Sequence, residues 1–137
     1  MNFTSRNALF QDAFSDLKTS LSPVKVTSAY HNDGLASFPQ VVVRPFDSLS
    51  ASERFYDSEF SGSNLTLIVE VHTFDAKTLD ELSDSVVSAV KDIVWSETLY
   101  FVGVDDFYSF NAASFGSTAE KRNIHTRILS FSYARYG

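Results

Sequence analysis

The chain has 137 residues, 44% of them apolar, 20% charged and 15% aromatic. That is enough for one compact domain over 1–137 that buries most of its unfolded surface without a disulfide or metal staple. The chain has no Cys, which removes thiol catalysis, thiolate metal sites and a disulfide framework together. No apolar run reaches the roughly 18 residues of a membrane span, and residues 1–6 lack the basic start and apolar core of a signal peptide.

In chain order, Thr4 or Ser5 is placed to cap a first helix. Leu9, Phe10, Ala13, Phe14, Leu17 and Leu21 form its apolar stripe, and Pro23 ends it. Val24–Ala29 reads as a short strand and His31-Asn32-Asp33-Gly34 as a turn. Gln40–Arg44 is β-branched between Pro39 and Pro45, which predicts a strand near a sheet edge. Residues 46–63 read as a long Ser-rich loop that nevertheless carries Phe46, Phe55, Tyr56 and Phe60.

Leu65–Phe74 is the clearest strand, with Leu65, Leu67, Val69 and Val71 on one side and Thr66, Ile68, Glu70 and His72 on the other. A second helix follows, capped by Asp75 or by a Thr78–Glu81 capping box. Leu79, Leu82, Val86, Ala89, Val90 and Ile93 form its buried stripe, widened by Val87 and Val94. Leu99–Val104 is a fourth strand. Residues 105–121 read as a second long polar loop with aromatics at Phe107, Tyr108, Phe110 and Phe115. The last strand runs from about Ile124 to Tyr133, with Leu129, Phe131 and Tyr133 on one face. The fold class is α+β: two main helices on one face of a four- to five-stranded, mostly antiparallel sheet.

The formal charge of −6 is unevenly spread. Residues 70–106 hold nine acids and two bases, whereas 107–137 hold one acid and four bases. No basic stripe offers the counterion release that tight nucleic-acid binding needs. The acids either keep the domain soluble or line a channel through which DNA slides without sticking. The opposed biases also suit head-to-tail contact between copies.

The sequence has no G-x-S-x-G elbow, no H-E-x-x-H helix and no phosphate-binding glycine loop. The three histidines, His31, His72 and His125, are far apart in sequence. His31 with Asp33 is the best acid–base pair, yet both sit in a turn that selects such residues for backbone reasons. Glu70 with His72 reads as a solvated or interfacial pair. Asp105-Asp106 reads as a solvated turn, short of the oxygen ligands calcium needs. Asn2-Phe3-Thr4 and Asn64-Leu65-Thr66 match the N-glycosylation pattern by chance. The expectation is therefore no enzyme, no catalytic residue, no cofactor and no metal.

Aromatic surplus remains. Aromatics in polar segments are typical interface anchors, so Phe46, Phe55, Tyr56, Phe60, Phe107, Tyr108, Phe110 and Phe115 are the candidate subunit or partner contacts. The competing reading is that these loops fold back and hide their own aromatics.

The layout resembles a family, the tail terminator (tail-completion) proteins of long-tailed, siphovirus-like phages and archaeal tailed viruses. The resemblance covers most of the chain. It rests on Asn7-Ala8-Leu9-Phe10 in the first helix and on the extended stretch Phe38-Pro39-Gln40-Val41-Val42-Val43-Arg44-Pro45. The strand from Leu67 to Asp75 that leads into the acidic helix Leu79–Val86, and the closing strand Arg127–Tyr133, complete it. The resemblance implies a virion structural protein whose subunits close into a hexameric ring. Such a ring caps the tail tube, meets the tube protein on one side and the neck or head-closure protein on the other, and lets genomic DNA pass without sequence-specific binding. It implies location in the virion tail or neck after assembly in the host cytoplasm, and no membrane. The long segments 46–63 and 105–121 depart from the family's layout. A head-closure or neck connector protein is the neighbouring alternative. A small cytoplasmic ligand-binding or hydrolytic domain using His31, Asp33 and perhaps His72 is the alternative of another class.

Overall fold

In a computed structural model, which describes residues 5–31, 37–46, 62–115 and 120–136, the elements follow the order anticipated from the periodicities. Ser5 caps α1 (Arg6–Ser20), its hydroxyl accepting the Ala8 N–H at 3.2 Å. Leu9, Phe10, Ala13, Leu17 and Leu21 are buried, and Phe14 packs at the margin. Asp75 caps α2 (Ala76–Lys91) by accepting from both the N–H and the hydroxyl of Thr78, at 2.7 and 2.9 Å. The first of those bonds is the largest cause holding the Asp75 carboxyl below its ordinary pKa, because the charged acceptor is the bonded form. Of the two caps the sequence offers, Asp75 wins.

Five strands make one mixed sheet in the order β1-β2-β3-β5-β4: β1 (Lys25–Thr27), β2 (Gln40–Val43), β3 (Gly62–Thr73), β4 (Tyr100–Phe115) and β5 (Glu120–Tyr136). Only β1 and β2 run parallel; the other pairs are antiparallel. The α+β expectation, two helices on a mostly antiparallel sheet, holds. The core lies between the helices and one sheet face, where Val41, Val43, Leu65, Leu67, Val69, Val71, Leu129 and Phe131 are almost fully buried. Burying such side chains stabilises by about 1.5–3 kcal/mol each before ordering entropy is counted.

Several expectations need correction. The placement of β2 is not one of them: it lies near an edge, next to β1, and its flanking prolines stand outside the four paired residues, so both its ladders are intact. Residues 105–121 do not form a loop as far as they are described. β4 continues through Phe115 and β5 begins at Glu120, and the two pair along this whole length. Asp105 and Asp106 accordingly lie in mid-strand and not in a turn. The polar residues misled because an edge strand without cover has no buried side and shows no alternation. Val94 is exposed rather than part of the α2 stripe, since the helix has ended before it.

Residues 47–61, with Phe55, Tyr56 and Phe60, lie outside the described residues, as does Asp33. Among the described residues no helix is long and apolar enough to cross a membrane.

Candidate functional site

The surface that stands out is β4. Neighbouring strands are about 4.8 Å apart, so five strands span about 19 Å. Here α1 lies against β1 and α2 against β3 and β5, leaving β4 without a helix. Its N–H and C=O groups on one side are paired to β5, and among the described residues no further strand flanks it.

The side chains of β4 make this edge unusual. Tyr100, Phe101, Val102, Val104, Phe107, Tyr108 and Phe110 are all exposed, Val102 to 68% and Phe107 to 63%. Natural edge strands are normally short or defended by Lys, Pro or inward charges. This one spans 16 residues, and its described side chains include two acids, Asp105 and Asp106, but no Lys or Pro. A bulge between Phe101 and Gly103 shifts the register by one residue. Beyond Thr73↔His125 the β3 partner is gone, so among the described residues 111–115 and 120–124 pair with each other alone. A two-stranded ribbon of this kind is marginal alone and gains most from an added surface.

Three contacts hold the strand in place without covering it. Tyr108 and His125 are joined through the phenol oxygen and Nδ1 at 2.8 Å, with Phe110 edge-on to the His125 ring at 5.0 Å. Arg127 on β5 reaches Asp80 of α2 at 3.0 Å and Asp106 of β4 at 3.8 Å, bridging helix to edge. At the other end Phe101 sits 5.7 Å from buried Tyr133, whose hydroxyl pKa burial pushes upward.

The predicted interface aromatics therefore divide. Phe107, Tyr108 and Phe110 are exposed and lie together on β4. Phe115 ends the same strand. Phe46 is no surface anchor: it is buried and packs edge-on to Trp95 at 6.1 Å, because it follows β2 directly into the core. Sequence reasoning missed Tyr100, Phe101, Val102 and Val104. They read as an ordinary half-buried strand, and only the helix placement exposes them.

A second cluster lies on the sheet face away from the helices. Glu70 and His72 are not solvated; they are 4% and 7% exposed. His72 Nε2 donates to Glu70 at 2.9 Å, since a carboxylate can only accept, and Nδ1 shares a hydrogen bond with the Thr126 hydroxyl at 2.9 Å. Arg44 Nε donates to the other Glu70 oxygen. The His72 hydrogen bond is the largest cause holding the Glu70 carboxyl below its usual range, followed by Arg44, while burial works against both. Tyr30 lies 4.5 Å from the His72 ring; burial, then the Glu70 charge, raises its hydroxyl pKa. The chain of hydroxyl, imidazole, carboxylate and guanidinium satisfies a buried charge. His31 is not part of it; its backbone N–H and carbonyl are held by the Gln40 side chain at 3.0 and 2.6 Å. Among the described residues no three His, Cys, Asp or Glu side chains are grouped to hold a metal. Beside Arg44 and Tyr30 an open hollow of about 490 Å3 is floored by Val42 and Ile68.

No family model matches the sequence, and no curated protein matches it either. Among solved structures, a chain of the assembly titled "Virion of native gene transfer agent (GTA) particle" aligns with 96% of this chain and 99% of its own length. The sequence identity is 19% and the TM-score 0.45.

Proposed function

We propose that this chain is a virion structural protein, a ring-forming tail terminator that caps the tail tube and joins the tail to the neck. The observation that carries the reading is β4: a long, aromatic, unprotected sheet edge is a surface built to be covered. The layout resemblance supplies the kind of assembly. Strand edges and aromatics are buried between copies, six of them in the family's ring, and acids face a lumen through which genomic DNA slides. The work of the protein is contact, and no reaction is assigned to it. The head-closure or neck connector reading shares the same edge and differs only in which neighbour covers it.

The test is electron microscopy of the purified protein mixed with tail tubes and, separately, with necks. Decoration of tube ends supports the terminator, and decoration of necks alone moves the protein to the connector role. A protein that decorates neither overturns the assembly reading. Free protein that is monomeric before mixing does not decide the matter, because the tube end supplies the template.

A further inference from the structure

The two edges of the sheet are defended very differently. β1 is three residues long and opens on exposed Lys25, the kind of edge that does not recruit a strand. β4 offers 16 residues with apolar side chains on both faces. Five aromatics and two valines along it are each between 40% and 68% exposed, about 600 Å2 of side-chain surface in all. The open backbone edge adds to that, which brings the strand near the roughly 800 Å2 a side of a standard interface. In the free protein an edge of this kind draws in another strand.

The strand is complementary to itself. Two copies of one strand pair antiparallel about a twofold axis normal to the sheet, and the alternation of faces then sets one residue opposite its own copy. With Phe107 at that centre, Asp106 of each copy faces Tyr108 of the other and Asp105 faces Ser109, so every carboxylate meets a residue with a hydroxyl. Val104 faces Phe110, a β-branched side chain against an aromatic one, which is a favourable cross-strand pair. A centre at Asp106 sets carboxylate against carboxylate, and a centre at Tyr108 sets Asp106 against Phe110. The Phe107 register also puts Asn111 opposite Gly103 of the other copy. The start of one β4 thereby runs along the other's ribbon of 111–115 and 120–124, giving that marginal ribbon a third strand.

We infer that the free chain pairs β4 to β4 with a second copy, centred on Phe107, joining two sheets into one that ends on the two defended β1 edges. The inference rests on the reading that β4 is an edge to be covered in the assembly. One edge cannot serve both contacts at once, so the pair holds β4 until the ring's neighbour takes it over.

The chain's lack of Cys makes the contact readable by disulfides. Opposite pairs of an antiparallel ladder alternate between close and wide spacing, so Phe107 with itself and Val104 with Phe110 sample one of each. Under a mild oxidant, Phe107→Cys alone, or Val104→Cys mixed with Phe110→Cys, should form a covalent dimer about tenfold or more faster than Lys25→Cys at the opposite edge. Equal rates at both edges, or Val104→Cys by itself matching the mixture, overturn the inference. In sedimentation the unmodified chain should dimerise, and Phe107→Lys, which faces two ammonium groups, should weaken that about tenfold or more. Thermal melts establish that each variant is folded. The rate of tube-end decoration per chain should fall as the protein concentration passes the dimer's dissociation constant. A rate strictly proportional to concentration through that range overturns the holding of β4. A chain that stays monomeric yet decorates tube ends sinks the pairing alone; a dimer that decorates neither tube ends nor necks at any dilution sinks the assembly reading alone.

Discussion

β3 and β4 are long strands of one sheet, and they could hardly be treated more differently. β3 sits between β2 and β5 with a helix over one face, so Leu65, Leu67, Val69 and Val71 are almost wholly removed from water. β4 is richer in aromatics, yet its apolar side chains remain exposed on both faces. The difference lies in position, not in hydrophobicity. The helices lie against β1, β3 and β5, and the exposed side chains of β4 lie beyond them. An apolar strand is a core element only where the fold supplies a second layer; elsewhere its side chains stay in water.

That contrast can be broken by substitution. The largest effect belongs to the covered half. Phe131→Ala empties a fully buried site and should cost about 3–5 kcal/mol of unfolding free energy, measured by urea denaturation. A loss below about 1 kcal/mol would mean the core is not packed as described. Next comes His72→Ala, which strips a partner from both buried Glu70 and Thr126 and should cost about 1–3 kcal/mol by the same assay. Ser5→Ala removes the α1 cap and should cost about 1 kcal/mol.

Acid sharpens the same comparison. Glu70 has its folded pKa lowered, so its contribution is present above its unfolded value and is lost as pH falls through the folded one. Stability should therefore decline as the pH is taken below about 4.5, the ordinary glutamate value. Glu70→Gln should flatten that part of a stability-against-pH curve. An unchanged acid limb would show that the carboxylate is not held charged by His72 and Arg44. The smallest effect on stability belongs to the edge. Phe107→Ser should change the unfolding free energy by no more than about 0.5 kcal/mol, as exposed positions do, while impairing tube-end decoration. A large loss of stability at Phe107 would place it in the subunit's own core and remove the distinction between the two strands.

Much of the covered half was legible in the sequence. The α1 stripe, the α2 stripe and the alternation along Leu65–Val71 each reflect a period imposed by one buried side, and a period can be read directly. Val94 and Phe46 went the wrong way because periodicity does not say where a helix stops or where a chain turns inward. Glu70 and His72 alternate correctly, and sequence put them on the outer face. The return of Tyr30 against His72, from some 40 residues away in sequence, and Arg44 on Glu70 help to bury them there.

The candidate site divides along the same line. Phe107, Tyr108 and Phe110 announced themselves as aromatics among polar residues, which composition alone reveals. That they belong to one strand with Tyr100, Phe101, Val102 and Val104 was hidden, because an edge strand facing solvent on both sides has no period to detect. By itself the sequence determined which segments are helical, which alternate and which apolar residues are in surplus, since those follow from local backbone geometry. Tertiary structure alone decided which strand would lie beyond the helices, because only packing in three dimensions determines how far two helices extend across five strands.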